Sequence, residues 1–372
     1  AIQTGEVLEV IKKRTASATK APGPDGFRLT VWKCCTDAMI EWIRHMFDIC
    51  LINGKFPVAW KRANLVLIPK GGPKPNAPER PSIKYLGVFI DAKWTFSDHF
   101  AYIQGRVERI TGALTRLMPN LKGPDERRRR LFANVVLSVL PYGAPVWGDK
   151  LVTSQRHMAL NRLICSVVQR VISAYRTVSG DAAFLLARIP PLRFLAPMRK
   201  KVYAQLKGLK DDGLYTPETR DAVKEAEFIN MCERWRAFLE RPNTPGEYTK
   251  MAVVPHLESW MKRKHGSLSF HLTQILTDHG CFANFLRRIG KRADDSCDFC
   301  GERDSAIHTL RECPAWDWQR IVLKCALGLN RDFVPIDIID TIVGNWEHWY
   351  AFSAFTEEVM REKEEEERRR ER

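Results

Sequence analysis

Three cysteines and one histidine near the carboxyl end constrain this chain more than any other feature. Cys297, Cys300, His308 and Cys313 follow the pattern C-x2-C-x7-H-x4-C. Thiolate sulfur and imidazole nitrogen are preferred ligands of zinc, and four of them complete a tetrahedral shell. Because no position is left for water, the pattern predicts a structural zinc site and not a catalytic one. Gly301 suits the tight turn that lets thiolates fold back on a metal ion.

Other residues near this cluster allow further interpretations. His279 and Cys281 lie upstream as competing ligands, but their spacing fits poorly. Trp316 and Trp318 follow the cluster and either pack on the site or stack on a base, and packing is the favoured use. The chain has ten cysteines, and without a secretory context we expect them to be reduced.

Composition sets the broad class of the protein. The 372 residues suffice for two or three domains, and 45% of them are hydrophobic, which argues against a disordered chain. Lys and Arg number 59 against 44 Asp and Glu, a net charge of +15. This excess favours a polyanionic partner, either nucleic acid or an acidic membrane surface.

One long uncharged run, residues 131–148, suggests a possible membrane span, but its residues argue against this interpretation. Pro141, Gly143 and Pro145 break its second half, so only the first half is typical of a regular apolar helix. No apolar signal segment stands at the start. We therefore expect an intracellular protein, in the nucleus or the cytoplasm, that is neither secreted nor inserted in a membrane.

Apolar periodicity predicts mostly helical structure. Helices are expected at about 6–14, 36–53, 125–140 and 154–174, with another starting at Ser97, and strand character at 83–91. The helix over 36–53 carries an apolar stripe that predicts core packing, formed by Met39, Ile40, Ile43, Met46, Phe47, Cys50 and Leu51. The tail, residues 357–372, has eight acidic and six basic residues and predicts a solvated helix or a frayed extension.

Basic residues concentrate between residues 106 and 130, where eight Lys or Arg stand against three carboxylates. Such a run is as typical of a solvated helix face as of a surface that contacts phosphates. The candidates for nucleic-acid contact in this region are Arg106, Arg109, Arg116, Arg127, Arg128, Arg129 and Arg130.

Several segments carry a family resemblance. The chain resembles the open reading frame of non-LTR (LINE-type) retrotransposons, which encodes a reverse transcriptase, and the matching segments stand in the family's order. They are KAPGPDG at 20–26, FPVAWKRANLVLIPK at 56–70, YLGV at 85–88 with Ile90-Asp91, PYGAPVW at 141–147, YRTVS at 175–179 and the CCHC knuckle. The resemblance covers nearly the whole chain.

The resemblance also implies that the catalytic palm is missing. In the family the palm lies between the fingers segments and the YLGV segment, and its carboxylates hold the Mg²⁺ ions of nucleotidyl transfer. Here only Arg80, Pro81 and Ser82 stand between them. Asp294-Asp295 and Asp211-Asp212 lack the apolar flanks of a catalytic hairpin, so no catalytic residue is assigned.

The resemblance implies an α+β, mostly helical protein with a reverse-transcriptase fingers remnant, thumb-like helices and a small zinc knuckle. The expected divisions are 1–82 (fingers remnant), 83–207 (post-palm strand and thumb-like helices), 208–290 (helical connector), 291–330 (knuckle) and 331–372 (charged tail). Lys70 and Arg80 would lie on fingers elements near nucleotide and template, and the thumb-like helices would follow a duplex of RNA or DNA.

Three functional hypotheses follow. The first is a palm-deleted reverse-transcriptase relic, inactive as a polymerase by itself, that still binds RNA or DNA. The second is a fragment of an active RNA-directed DNA polymerase that needs the full-length element. The third is a product of a decayed element without function, whose apolar faces lack their partners. Host use, RNA or DNA preference and oligomeric state are not indicated by the sequence.

Overall fold

The chain divides into two compact units, residues 1–79 and 80–372. The computed structural model describes residues 2–15, 28–57, 82–119, 123–152, 156–329 and 334–372. Most of these residues are helical, and the one sheet among them has two strands. The mostly helical α+β class predicted from the sequence is confirmed.

The elements stand in the following order along the chain. In the first unit they are α1 (Thr4–Thr15) and α2 (Asp37–Asn53). The second unit begins with β1 (Ser82–Tyr85), β2 (Val88–Asp91), α3 (Ser97–Leu117), α4 (Glu126–Val139), α5 (Ala144–Val152), α6 (His157–Val171), α7 (Gly180–Leu186), α8 (Leu192–Asp211) and α9 (Pro217–Leu239). It continues with α10 (Glu247–Val253), α11 (Leu257–Lys262), α12 (Phe270–Thr277), α13 (Ala283–Arg288), α14 (Ala306–Arg311), α15 (Asp317–Leu327), α16 (Pro335–Gly344) and α17 (Trp346–Arg370).

Helix α2 ends where the sequence predicts, at Gly54, which adopts a left-handed conformation with φ of 61°. Its apolar stripe is only partly core. Ile40, Ile43 and Cys50 are buried, whereas Met39 and Leu51 at the edges are more than half exposed. The stripe is wider than the surface that α1 and the neighbouring 3₁₀ turn (Leu29–Cys34) offer to it, so the core prediction is wrong at both edges.

The predicted strand at 83–91 is instead a tight hairpin. Strands β1 and β2 pair antiparallel, with Ser82 opposite Asp91 and Tyr85 opposite Val88. Asp91 then organises the turn into α3, because its carboxylate accepts hydrogen bonds from the N–H groups of Lys93, Thr95 and Phe96. Burial by itself raises the pKa of Asp91, but these bonds stabilise the anion and lower the pKa overall.

Helices α4 and α5 occupy the uncharged run of the sequence. The chain breaks at 140–143, as the Pro and Gly residues predict, but a second helix starts at Ala144. Among the described residues no single helix has the length and apolarity of a membrane span. Helices α4 and α5, bent by 90°, pass that test only as a pair, by length and composition.

A single hydrophobic core runs through the second unit. Phe100, Ile103 and Val107 of α3 are at most 3% exposed, and α3 lies against α4 and α6. Four tryptophans lie almost fully inside, namely Trp147, Trp235, Trp260 and Trp316. The hypothesis of a product without function predicts that the apolar face of α3 lacks packing partners. In the structure this face is packed, although Leu117 at the end of the helix is exposed.

The charged tail is not a frayed extension. Residues 357–370 belong to α17, whose Phe352, Val359 and Met360 are buried and whose Lys363 and Glu367 are less than 10% exposed. The prediction of a solvated helix holds for the outward face, whereas the charges at Lys363 and Glu367 on the inward face have partners inside the protein. His271 of α12 lies between Glu357 and Glu364 of α17, at 2.6 and 3.3 Å.

This carboxylate–histidine–carboxylate arrangement predicts a pH-dependent docking of α17. Burial lowers the pKa of His271, but the hydrogen bonds that its ring donates to both glutamates outweigh this effect and raise the pKa to about 9. Since the folded-state pKa lies above the unfolded value, the stabilisation is complete below about pH 6.5 and is lost as the pH rises through about 9. His271→Gln should lower the free energy of unfolding by roughly 2 kcal/mol at pH 6.

Denaturant unfolding of both proteins from pH 6 to pH 10 measures this effect. The difference between wild type and His271→Gln should shrink towards pH 10, because the wild-type imidazole has then lost its proton. A difference that stays constant over the whole range would contradict the ion-pair assignment.

Candidate metal centre

The four side chains of the C-x2-C-x7-H-x4-C pattern meet in one cluster, with all ligand atoms within 4.8 Å of one another. Cys297 Sγ lies 3.8 Å from Cys313 Sγ, which lies 3.9 Å from Cys300 Sγ. Cys300 Sγ lies 3.2 Å from His308 Nε2. Zn–S bonds of about 2.3 Å give tetrahedral edges of about 3.8 Å. The predicted four-ligand set thus has the spacing that a tetrahedral metal ion requires.

A tight turn presents the first two cysteines. The N–H of Cys297 donates to the carbonyl of Glu302, and that of Gly301 donates to the carbonyl of Cys297. Gly301 has φ of 84°, the left-handed region that glycine adopts without strain. Burial raises the pKa of the Cys297 thiol, and hydrogen bonds from the N–H groups of Phe299 and Cys300 act in the opposite direction.

A short helix and the turn behind it present the other two ligands. His308 lies on α14, where the Ser305 hydroxyl caps the helix by accepting from the His308 N–H. The other ring nitrogen of His308, Nδ1, lies 3.6 Å from a carboxylate oxygen of Glu312. A carboxylate in this position orients a ligating histidine and fixes its tautomer. Burial raises the pKa of Cys313 to about 12, so a bound cation must displace its proton.

The two tryptophans after the cluster differ in burial, and the upstream histidine and cysteine have other partners. Trp316 is 2% exposed and packs edge-on against Phe299, whereas Trp318 is 71% exposed. His279 and Cys281 lie outside the four-residue cluster. Thr177 and Arg288 contact the His279 ring, and the Cys281 thiol donates to the carbonyl of Lys363.

A buried ion pair connects the metal centre to α17. Asp304, which lies between the two ligand pairs, accepts from Lys363 Nζ at 2.8 Å, and both side chains are 4% exposed. The second carboxylate oxygen of Asp304 accepts from the N–H of Ala283 at the start of α13. The Lys363 ammonium also lies over the rings of Phe282 and Phe299. The sequence did not reveal this pair, because Lys363 stands in a run of charges typical of a solvated surface.

Curated relatives share the sequence over most of this chain. A retrovirus-related Pol polyprotein from type-1 retrotransposable element R1 of Bradysia coprophila is 24% identical over 290 residues, covering 73% of this chain and 28% of that protein. A 115 kDa protein in type-1 retrotransposable element R1DM of Drosophila melanogaster is 26% identical over 307 residues, covering 77% and 28%. A Pol polyprotein from element R1 4 of Nasonia vitripennis is 27% identical over 249 residues, covering 63% and 61%.

The chain is a relative of R1 retrotransposon Pol polyproteins. The resemblance to a non-LTR retrotransposon reading frame is thereby confirmed. This Pol-related chain spans 28% of the length of two of these relatives and 61% of the third. No protein-family model and no solved structure matches it.

The structure sorts the basic residues of the Pol-related chain into two groups. Arg106, Arg109 and Arg116 are exposed on α3, and Arg127 and Arg128 are exposed on the first turn of α4. All five are accessible to a phosphate backbone. Lys70 and Arg80 lie outside the described residues, as do the segments at 20–26 and 58–70.

Arg129 and Arg130 are structural. Arg129 is 2% exposed, and its guanidinium donates to the carbonyls of Pro119, Pro124 and Arg170. Arg130 donates to the carbonyl of Ala187 and pairs with the buried Glu126. We therefore remove both from the candidate contact surface, because their N–H groups are engaged inside the protein.

The paired aspartates have no catalytic geometry. Asp294 accepts from the N–H of Ser296 and pairs with Arg292, and Asp295 pairs with Arg287 and Arg303. Asp211 and Asp212 are exposed at the end of α8. Across the described ranges, the cysteine–histidine cluster is the one group of three or more such ligands close enough to hold a metal ion.

We expect one divalent metal ion per chain at this cluster. Its removal by a chelator, or by Cys300→Ala, should expose the knuckle and loosen α17, because a segment of this size depends on the metal for its folding. A fall in Tm of about 10 °C or more is expected, at about 2–4 °C per kcal/mol in a large domain.

Elemental analysis and a thermal melt with and without chelator measure this effect. Cys325→Ala is the matched control, since Cys325 is an exposed cysteine on α15 outside the cluster. Purified protein with no bound metal and a melt insensitive to chelator would contradict the assignment.

The ion pair generates a second prediction. Lys363→Met leaves the Asp304 carboxylate buried without its cation and should cost about 3–5 kcal/mol of the free energy of unfolding. The double variant Asp304→Asn/Lys363→Met should recover much of this loss, because no net charge is then buried. Denaturant unfolding measures both, with the exposed Arg368→Gln as control. Equal destabilisation by the single and the double variant would show that packing, and not charge, is responsible.

Proposed function

We propose that this chain is a retrotransposon-derived reverse-transcriptase relic that does not transfer nucleotides by itself and that binds RNA or DNA in a sequence-tolerant way. The R1 Pol relatives carry the proposal. Two of these relatives are named Pol polyproteins. The proposal assigns to this chain a part of such a protein without the carboxylate pair that holds the catalytic magnesium ions.

The charge distribution supports the nucleic-acid partner. The exposed arginines at 106, 109 and 116 recur on one side of α3, and those at 127 and 128 begin the next helix, which contacts α3. Exposed guanidiniums in a row neutralise successive phosphates without reading bases. Arg109 donates to the carbonyl of Gly105, four residues earlier on its own helix, and forms no ion pair with a carboxylate among the described residues, so its charge is available to a phosphate.

The ion in the metal centre is proposed to be zinc, held for structure. Three thiolates and one imidazole form the ligand set of zinc knuckles, and Cys297, His308 and Cys313 are at most 3% exposed. A site closed in this way has no face for a substrate. The exposed Trp318, five residues beyond Cys313 in the first turn of α15, is available to stack on an unpaired base.

The second hypothesis, a fragment of an active polymerase, predicts the same nucleic-acid binding by this chain. It differs from the proposal only in predicting polymerase activity for the full-length element. The alternative of a product without function predicts a poorly folded chain. The continuous core of the second unit disfavours the latter, because α3 buries its apolar face within this chain.

A paired assay tests the proposal. The chain should give no primer extension on an RNA template with Mg²⁺, and it should bind the same duplex with a negative slope of log affinity against log salt. Replacing Arg106, Arg109 and Arg116 by Gln should reduce the slope by about 2–3, since each phosphate contact is worth about 0.9.

The matched control replaces three exposed lysines of α8, Lys201, Lys207 and Lys210, by Gln. This variant carries the same change in net charge and should keep the slope. Incorporation above a no-enzyme control would overturn the inactive relic. Equal loss of slope in both triple variants would show attraction by net charge alone.

A further inference from the structure

Two segments singled out in the sequence, YLGV at 85–88 and PYGAPVW at 141–147, meet in the structure. The Tyr142 hydroxyl donates to the carbonyl of Leu86 at 2.7 Å. Gly87 has φ of 85°, and a Cβ on it would stand 3.1 Å from the Tyr142 ring. A Cβ on Gly143 would stand 2.8 Å from a methyl group of Val88. Both glycines are needed for this close approach, so the hairpin turn and the α4–α5 turn are built against each other.

A cavity of about 490 Å³ opens beside this junction, between the hairpin turn, α3 and the end of α4. Its size lies in the range of small-molecule sites, about 300–1,000 Å³. Among the described residues that line it there is no carboxylate. The lining includes Lys84, His99, Tyr102, Arg106 and Tyr142.

Two cations face this cavity without a counter-charge. Lys84 Nζ lies 4.8 Å from the centroid of the Tyr102 ring, and Arg106 follows Tyr102 by one helical turn on α3. Neither forms an ion pair with a carboxylate in the part of the chain that the structure describes. The positive charge of Lys84, and then that of Arg106, lowers the pKa of Tyr102, which shows that both act on the same space.

His99 contributes a neutral ring to the wall of the cavity. It is 1% exposed, and its Nδ1 accepts from the N–H of Phe89 at 3.4 Å. The neutral ring therefore carries its proton on Nε2, which has no hydrogen-bond partner among the described residues. Burial lowers the pKa of His99 to about 4, so the ring is neutral at physiological pH. Because Nε2 is inaccessible to solvent, it offers no hydrogen bond to a ligand in the cavity.

We propose that this cavity binds a mononucleotide, with its phosphate on Lys84 and Arg106 and its base against the rings of Tyr102 and Tyr142. Paired cations and aromatic walls in a cavity of this size match a phosphate monoester that carries a flat ring. A polynucleotide backbone would need a groove open at both ends, whereas the Tyr142–Leu86 contact closes one side. The proposal goes beyond backbone binding by α3 and does not depend on it.

Titration calorimetry on the full chain tests the proposal, with AMP and UMP as probes. Both should bind saturably, and the uncharged nucleosides should bind at least tenfold more weakly, because the charge-assisted contacts are lost. Inorganic phosphate should compete, since the cations hold the phosphate group. Lys84→Ala and Arg106→Ala should each weaken AMP binding about tenfold or more.

Arg109→Ala is the matched control, because Arg109 is an exposed arginine on the same helix that does not line the cavity. It should leave AMP binding unchanged and weaken duplex binding, which separates this proposal from the previous one. No saturable AMP binding by the folded chain, or equal loss in the Arg106 and Arg109 variants, would overturn the mononucleotide site. Duplex binding that needs Lys84, together with no binding of AMP, would assign the cavity to the polynucleotide instead.

Discussion

The buried pair of Asp304 and Lys363 is the contact on which the carboxyl-terminal half of the second unit depends. One carboxylate links the loop between the metal ligands, the start of α13 and the last long helix. Charges of this kind are tolerated inside a protein only when they are paired and hydrogen-bonded. The ion pair therefore holds α17 against the loop that contains Asp304, and the residues of the cysteine–histidine cluster flank that loop. The ion pair and the cysteine–histidine cluster therefore stabilise the same loop.

The arginines of α3 and α4 show that one residue type serves two purposes within a few helical turns. Arg129 satisfies three carbonyls at the junction of α4 and α6, where a main-chain acceptor without a donor would cost free energy. Arg106 and Arg109 are exposed on α3, and among the described residues neither pairs with a carboxylate. A basic run in a sequence thus contains both arginines that stabilise the fold and arginines that are accessible to a ligand. Their burial in the structure distinguishes the two groups.

The structure also gives a physical reason for residues in two of the segments that resemble retrotransposon sequences. The glycines of YLGV and PYGAPVW stand where a Cβ would strike the other segment, so the two turns can approach only as glycines. Asp91 ends the hairpin that contains YLGV. Its carboxylate shapes the following turn by accepting hydrogen bonds from three main-chain N–H groups. In this chain both motifs build a surface beside a positively charged cavity.

The sequence by itself determined the cysteine–histidine pattern, the similarity to R1 retrotransposon proteins and the helical class. Ligand spacing and helix periodicity are local properties, so Cys297 to Cys313 and the end of α2 at Gly54 could be predicted without a structure. Tertiary structure decided which charges are buried. The roles of Lys363 and Arg129, the exposure of Met39 and the meeting of Lys84 with Arg106 depend on contacts between residues far apart in the chain. Local periodicity carries no information about such contacts, because they arise only when the helices pack.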